Sequence, residues 1–256
     1  MRTICLLMAV AGALLCLSSP AGADWDVGDP HKMHEPQLPD PEGWDVRISN
    51  ARRLPGEDPQ WIVADDWQCI RTGEVSDVHL WVSWRQNVQD QIVNIHLSIH
   101  SDIPMGPNGW SIPGQLLWER DFGPGEFAVR DDGTGYQGWF DPPFDDWWRP
   151  YHDLYQQINI VDIPDPFVQH AGEVFWLDVS VDLAGESETG KLGWKTSRNH
   201  FRDDAVYWDP ISLDWVELLD PETGASLDMA FVITPEPASV GLLGLGALGL
   251  LKRRRR

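Results

Sequence analysis

Cysteine is nearly absent from this chain. Of its three cysteines, Cys5 and Cys16 lie in an apolar N-terminal run, which leaves Cys69 alone in the remainder. A domain with one thiol has no internal disulfide and must be held together by its core. Cys69 sits in the strand-like run Asp65-Asp66-Trp67-Gln68-Cys69-Ile70, which suits a buried structural thiol better than a nucleophile. Basic residues are scarce as well. Arg2 and the five terminal residues account for six of the 19 Lys and Arg, whereas Glu236 alone of the 40 Asp and Glu lies in an end segment. The middle of the chain therefore carries 13 basic against 39 acidic residues, a charge near −26. Such a field repels nucleic acid and anionic polymers, whose binding needs Lys and Arg against phosphate or sulfate. It leaves neutral or cationic partners open.

Long apolar runs occur only at the two ends. At the N-terminus, Arg2 supplies a positive start, Ile4 to Leu17 an apolar stretch, and Ala21-Gly22-Ala23 a small-residue cleavage site. This reads as a signal peptide over 1–23, cut after Ala23. Leu14-Leu15-Cys16 suggests a lipoprotein box, but a bulky Leu directly before the Cys argues against it. At the other end, Pro235-Glu236-Pro237 precedes the apolar run Ala238 to Leu251 and the basic stop Lys252-Arg253-Arg254-Arg255-Arg256. The 14-residue run is about 21 Å long as a helix, against ~30 Å of bilayer hydrocarbon. It is expected to enter the membrane before processing, with the basic stop on the cytoplasmic side. A polar tripeptide, a short apolar helix and a basic end follow the logic of a removable anchor. The tail over 235–256 resembles the PEP-CTERM sorting signal. That resemblance implies processing by exosortase, a membrane transpeptidase of Gram-negative bacteria, and export through the inner membrane to the envelope or outer surface.

Residues 24–234 are enough for one large β domain or two small ones. No internal repeat and no long amphipathic helix is visible, but strand signals recur. Val93, Ile95, Leu97 and Ile99 alternate with Asn94, His96, Ser98 and His100, a half-buried strand with its odd positions inward. In Val174–Leu183, Phe175, Leu177, Val179 and Val181 face one way and Asp178, Ser180 and Asp182 the other. Further strands are expected near residues 78–84, 116–122, 156–163 and 227–233, with shorter ones at 61–64, 127–130, 193–196, 205–208 and 215–218. Loops rich in Gly, Pro and Asp are expected at 104–113, 131–135 and 141–150, and one helical turn at 147–156, interrupted by Pro150. The proline-rich residues 24–60 read as an extended lead-in pinned by Trp25 and Trp44. The whole indicates an all-β antiparallel sandwich or jelly roll.

All 15 Trp lie between Trp25 and Trp215. Several other segments stand out: His31-Lys32-Met33-His34, Gly43-Trp44-Asp45-Val46, Ala64-Asp65-Asp66-Trp67, Gly193-Trp194-Lys195-Thr196-Ser197, Asp203-Asp204-Ala205-Val206 and Asp228-Met229-Ala230-Phe231. Through them the exported part resembles an uncharacterised Trp-rich β-domain family of planctomycete-type PEP-CTERM proteins. That resemblance implies architecture and location and transfers no mechanism.

No Gly-x-Ser-x-Gly, His-Glu-x-x-His or Gly-rich phosphate loop is present, so no catalytic residue is assigned and the chain is expected not to be an enzyme. Acidic doublets at Asp65-Asp66, Asp131-Asp132, Asp145-Asp146 and Asp203-Asp204 raise Ca²⁺. Asp131 and Asp132 form the candidate loop, against the alternative of turn-forming aspartates. His96 and His100 share a strand face about 13 Å apart, too far to ligate one ion. The segment from Trp139 to Trp148 interleaves rings with Asp141, Asp145 and Asp146. Trp139, Trp147 and Trp148 either form a stacking platform for a neutral exopolysaccharide or plug one end of the sandwich. The function expected is a structural or adhesive role in the cell envelope or extracellular matrix, the alternative a carbohydrate-binding module for exopolysaccharide; a secreted hydrolase is disfavoured.

Overall fold

Alternating apolar residues become strands through nearly the whole of the computed structural model, which describes residues 24–51, 60–185 and 190–234. The expected leader with Ala21 and Ala23, the Pro235-Glu236-Pro237 tripeptide, the membrane helix and the basic stop lie outside the described residues. Fifteen strands run in order: β1 (Trp44–Arg47), β2 (Ser49–Ala51), β3 (Val63–Gln68), β4 (Gly73–Glu74), β5 (Asp77–Trp84), β6 (Ile92–Ile103), β7 (Ile112–Phe122) and β8 (Ala128–Asp141). They continue as β9 (Asp146–Ile160), β10 (Val168–Gln169), β11 (Val174–Leu183), β12 (Leu192–Lys195), β13 (Val206–Asp209), β14 (Asp214–Glu217) and β15 (Phe231–Thr234).

Two sheets make the body. One runs β14-β13-β3-β11-β6-β7, with β2 alongside β11. The other runs β12-β1-β8-β9-β5-β15, and β12 also pairs with β5. Five of its strands thus close a circuit, β5-β9-β8-β1-β12 and back to β5, in which only the β1–β8 pair is parallel. Between the sheets, Leu177, Val179 and Val181 of β11 stand opposite Ile99, Leu97 and Ile95 of β6. These pack with Val46, Leu80, Val82, Ile158, Trp194 and Phe231 from the closed sheet in one continuous core. Each such buried side chain is worth about 1.5–3 kcal/mol in area removed from water. With no disulfide among the described residues, Cys69 is a buried free thiol within that core, and burial pushes its pKa up to about 12.

The fold is the expected all-β sandwich, and β11 has the bounds read from its alternation. Three local expectations are corrected. Residues 147–156 form no helical turn. They belong to β9, because Trp148 and His152 pair across the hairpin with Trp139 and Gln137 of β8, and cross-strand pairing outweighs a weak local signal. Asp131 to Gly135 lie inside β8 rather than in a loop, and the loop expected over 141–150 shrinks to a turn at Pro142–Phe144 and Asp145. The lead-in is more than packed chain: it supplies β1 and β2, each paired in parallel with a later strand. Trp25 and Trp44 are buried as expected.

Candidate functional site

The aromatic segment is split by the pleat of the β8–β9 hairpin. Trp139 and Trp148 are cross-strand partners, as are Phe140 and Trp147, and successive residues point to opposite faces. Trp147 therefore turns towards the core, its ring edge-on to Trp44 at 5.8 Å. Trp139 is fully buried, whereas Trp148 is 44% exposed and stacks on Tyr151 at 5.6 Å with 14° between the planes. The three-indole platform is thus corrected: only Trp148 offers a ring face. The carboxylates beside it are engaged. Asp141 accepts hydrogen bonds from Arg47 Nη1 and Trp61 Nε1, both at 2.9 Å. Asp146 lies 4.0 Å from Arg85, and Asp145 closes the hairpin with φ 50°. What remains is a shallow cleft of about 320 Å³ lined by Asn87, Gly135, Tyr136, Tyr151, His152 and Asp153.

Polar side chains that sequence reading missed meet inside the closed circuit, one from each of its five strands. In β1, Trp44 and Val46 face the core, so Asp45 between them faces the other way. In β12, Trp194 joins the core and Lys195 turns to Asp45, its register partner. Ser83 of β5, Gln137 of β8 and His152 of β9 complete the set. His152 Nε2 stands 2.8 Å and Lys195 Nζ 3.4 Å from Asp45 Oδ2, with all three side chains at zero exposure. Lys195 Nζ donates to Gln137 Oε1 at 2.6 Å, and Ser83 Oγ donates to the same oxygen at 2.8 Å. Asp45–His152, Lys195–Gln137 and Ser83–Gln137 join strands that are not neighbours, so these contacts cross the interior. The only warning was single polar residues in apolar segments, such as Asp45 between Trp44 and Val46.

Electrostatics inside the circuit follow from burial. Burial pulls the Lys195 ammonium below its ordinary pKa, and attraction to Asp45 offsets only part of this. For Asp45, burial acts upward, but Lys195 and His152 outweigh it and hold the carboxyl below its usual range. Asp45 Oδ1, His152 Nδ1, Gln137 Nε2 and Trp139 Nε1 are buried without a hydrogen-bond partner among the described residues. Buried orphans of this kind are uncommon, and each calls for an explanation.

A second buried cluster gathers two of the acidic doublets. Asp65 accepts from the backbone N–H of Met229 at 2.6 Å and from Gln37 Nε2 at 3.2 Å. Asp66 lies 3.4 Å from Arg202, which also reaches Asp102 at 3.1 Å. Burial and the surrounding carboxylates push Asp66 up to about 9, against the pull of Arg202. Burial and like charge raise Asp65 well above the usual range too. Glu217 is raised to about 7 by its hydrogen bond to Asp204, then by burial.

Asp131 and Asp132 do not converge as a Ca²⁺ loop. Asp131 accepts from Gln156 Nε2, and Asp132 from Trp81 Nε1, each at 2.8 Å; strand geometry keeps these neighbouring carboxylates apart. Among the described residues, no group of three or more His, Cys, Asp or Glu is placed to hold a metal ion.

No curated protein and no solved structure matches the chain. Residues 234–256 match the PEP-CTERM protein-sorting motif, which marks the protein for recognition by exosortase and for export across the inner membrane to the cell envelope or surface. Residues 33–234, from just before the first strand to the end of the last, match the family described as domain of unknown function (DUF7901). The chain belongs to that family.

Proposed function

We propose that the protein is a structural, non-catalytic component of the envelope or extracellular matrix. The observation that carries this reading is the inward turn of the groups able to do chemistry. Asp45 contacts both His152 and Lys195, all at zero exposure, and Asp65 and Asp228 are bonded by the backbone around them. What faces outward is a strongly acidic β scaffold, suited to staying hydrated and to binding divalent counter-ions between chains. Fractionation of cells expressing the full gene tests it. The protein should remain with the insoluble envelope and matrix through a salt wash, and turnover of polysaccharide or peptide substrates by the purified protein would overturn it.

A second reading, binding of a neutral exopolysaccharide, is favoured by the exposed Trp148 face stacked on Tyr151 beside the cleft. Aromatic faces pair with the apolar faces of sugars while nearby Asn and Asp orient hydroxyls, and Asn87 and Asp153 stand at that rim. Retardation in neutral-glycan affinity gels, lost in Trp148→Ala, supports this reading; equal mobility of both proteins on every gel excludes it.

A further inference from the structure

Lys195 and Asp45 are held as a reacting pair would be. They stand directly opposite each other on neighbouring antiparallel strands, and Lys195 Nζ is 3.4 Å from Asp45 Oδ2 in a space with no exposure to solvent. The indole of Trp139 belongs to the residue opposite Asp45 on β8. A side chain at Gly193 would run into both the Asp45 backbone and the Trp139 ring, so glycine there lets the ring lie close. On the other side, the Lys195 ammonium is 5.4 Å from the centre of the Tyr155 ring. Ordinary buried ion pairs are justified by satisfying every lone pair around them. Among the described residues Asp45 Oδ1 has no hydrogen-bond partner, and neither does Nε2 of Gln137, whose Oε1 accepts from the amine. An unsatisfied carboxylate oxygen in a dry interior is costly, whereas a neutral amide in its place removes both buried charges.

We propose that Lys195 Nζ and Asp45 Cγ condense into an intramolecular amide bond that ties β12 to β1, with His152 polarising the carboxyl through its hydrogen bond to Oδ2. The reaction starts from the ion pair. Oδ2, 3.4 Å from Nζ and hydrogen-bonded to His152 Nε2 at 2.8 Å, takes a proton from the ammonium. The freed amine attacks Cγ, forming the C–N bond. The C–Oδ2 bond breaks, and the oxygen leaves as water with two protons that began on Nζ. Oδ1 stays as the amide carbonyl. Atoms and charge balance without a co-reactant, and burial assists by lowering the proton affinity of the amine and by excluding the water that reverses the reaction. The bond joins positions 150 residues apart in a domain whose described residues hold a single cysteine, Cys69, and so no disulfide to do so.

Peptide mapping of protein expressed from the full gene tests this directly. Trypsin cannot cut after an acylated lysine. The linked chain yields a branched peptide of residues 33–47 and 192–198, lighter than the two together by one water, about 18 Da. Recovery of 33–47 and 192–195 only as separate linear peptides would overturn the proposal. So would a loss of about 17 Da joining Lys195 to the peptide carrying Gln137, since that marks the glutamine as acceptor. The Asp45→Asn chain should still link, now releasing ammonia, because a carboxamide is also an acceptor; Lys195→Arg should not. His152→Gln should lower the linked fraction at a fixed time after synthesis at least several-fold, and linkage as fast as in the unaltered chain would overturn the role of the histidine.

Discussion

Raising the pH from 6.5 to 8.5 should destabilise this protein, because its buried carboxyl groups hold protons there. The sign follows from linkage. A carboxyl whose folded pKa lies above its unfolded value contributes stability that is complete below the unfolded value and is lost as pH rises through the folded one. Asp66 is 1% exposed and is raised from 3.8 to about 9, so it takes up a proton on folding throughout this window. Two pH units then cost about 3 kcal/mol from this group alone, at ~1.4 kcal/mol per unit. Asp65, raised well above the usual carboxylate range by burial and like charge, acts in the same direction. His34, lowered from 6.5 to about 4 by burial and then by His31, acts weakly the other way. Its unfolded value lies at the edge of the window, so rising pH there returns only about 0.4 kcal/mol. For a domain of this size, 3 kcal/mol corresponds to a fall in Tm of roughly 6–12 °C. Calorimetry or urea denaturation at constant low salt reads the effect, and Asp66→Asn should flatten much of it. Stability that is level or rising between pH 6.5 and 8.5, or an unchanged slope in Asp66→Asn, would refute the reasoning.

Two further predictions concern packing. Ile95 is fully buried opposite Val181, so Ile95→Ala should cost ~2–5 kcal/mol through lost burial and a cavity. Asn94→Ala should cost far less, since Asn94 loses only an exposed hydrogen bond to Asp121; urea denaturation of the pair checks this, and equal effects would contradict the assigned faces. Trp139→Ala should remove ~3–5 kcal/mol, whereas Trp148→Ala, at a position 44% exposed, should lower the Tm only slightly; thermal melts of the two variants decide it.

The alternation in β6 and β11 was legible in the sequence because one face of each meets the opposite sheet. Ile95, Leu97 and Ile99 are inward as expected. The same pattern does not say where the other face goes. Asp178, Ser180 and Asp182 alternate with apolar residues like a solvated face, yet all three are buried, and His100 reaches Asp178 at 3.3 Å. The closed circuit was hidden for the same reason. Asp45, Ser83, Gln137, His152 and Lys195 are far apart in the chain, and nothing local shows that their strands return to meet. The β8–β9 hairpin was obscured by composition. Its Gly, Pro and Asp residues resemble a loop, and register shifts between Asp131 and Trp139 break the period-2 signal. For Trp147 and Trp148, the aromatic content was visible but the pleat that separates them was not.

The most direct test of the account is C-terminal peptide mass spectrometry of the protein recovered separately from inner membrane and from outer envelope and matrix. The account predicts that the envelope and matrix material ends near Pro237, with residues 238–256 missing from the mature form. A mature protein that keeps residues 250–256 and stays in the inner membrane would contradict it.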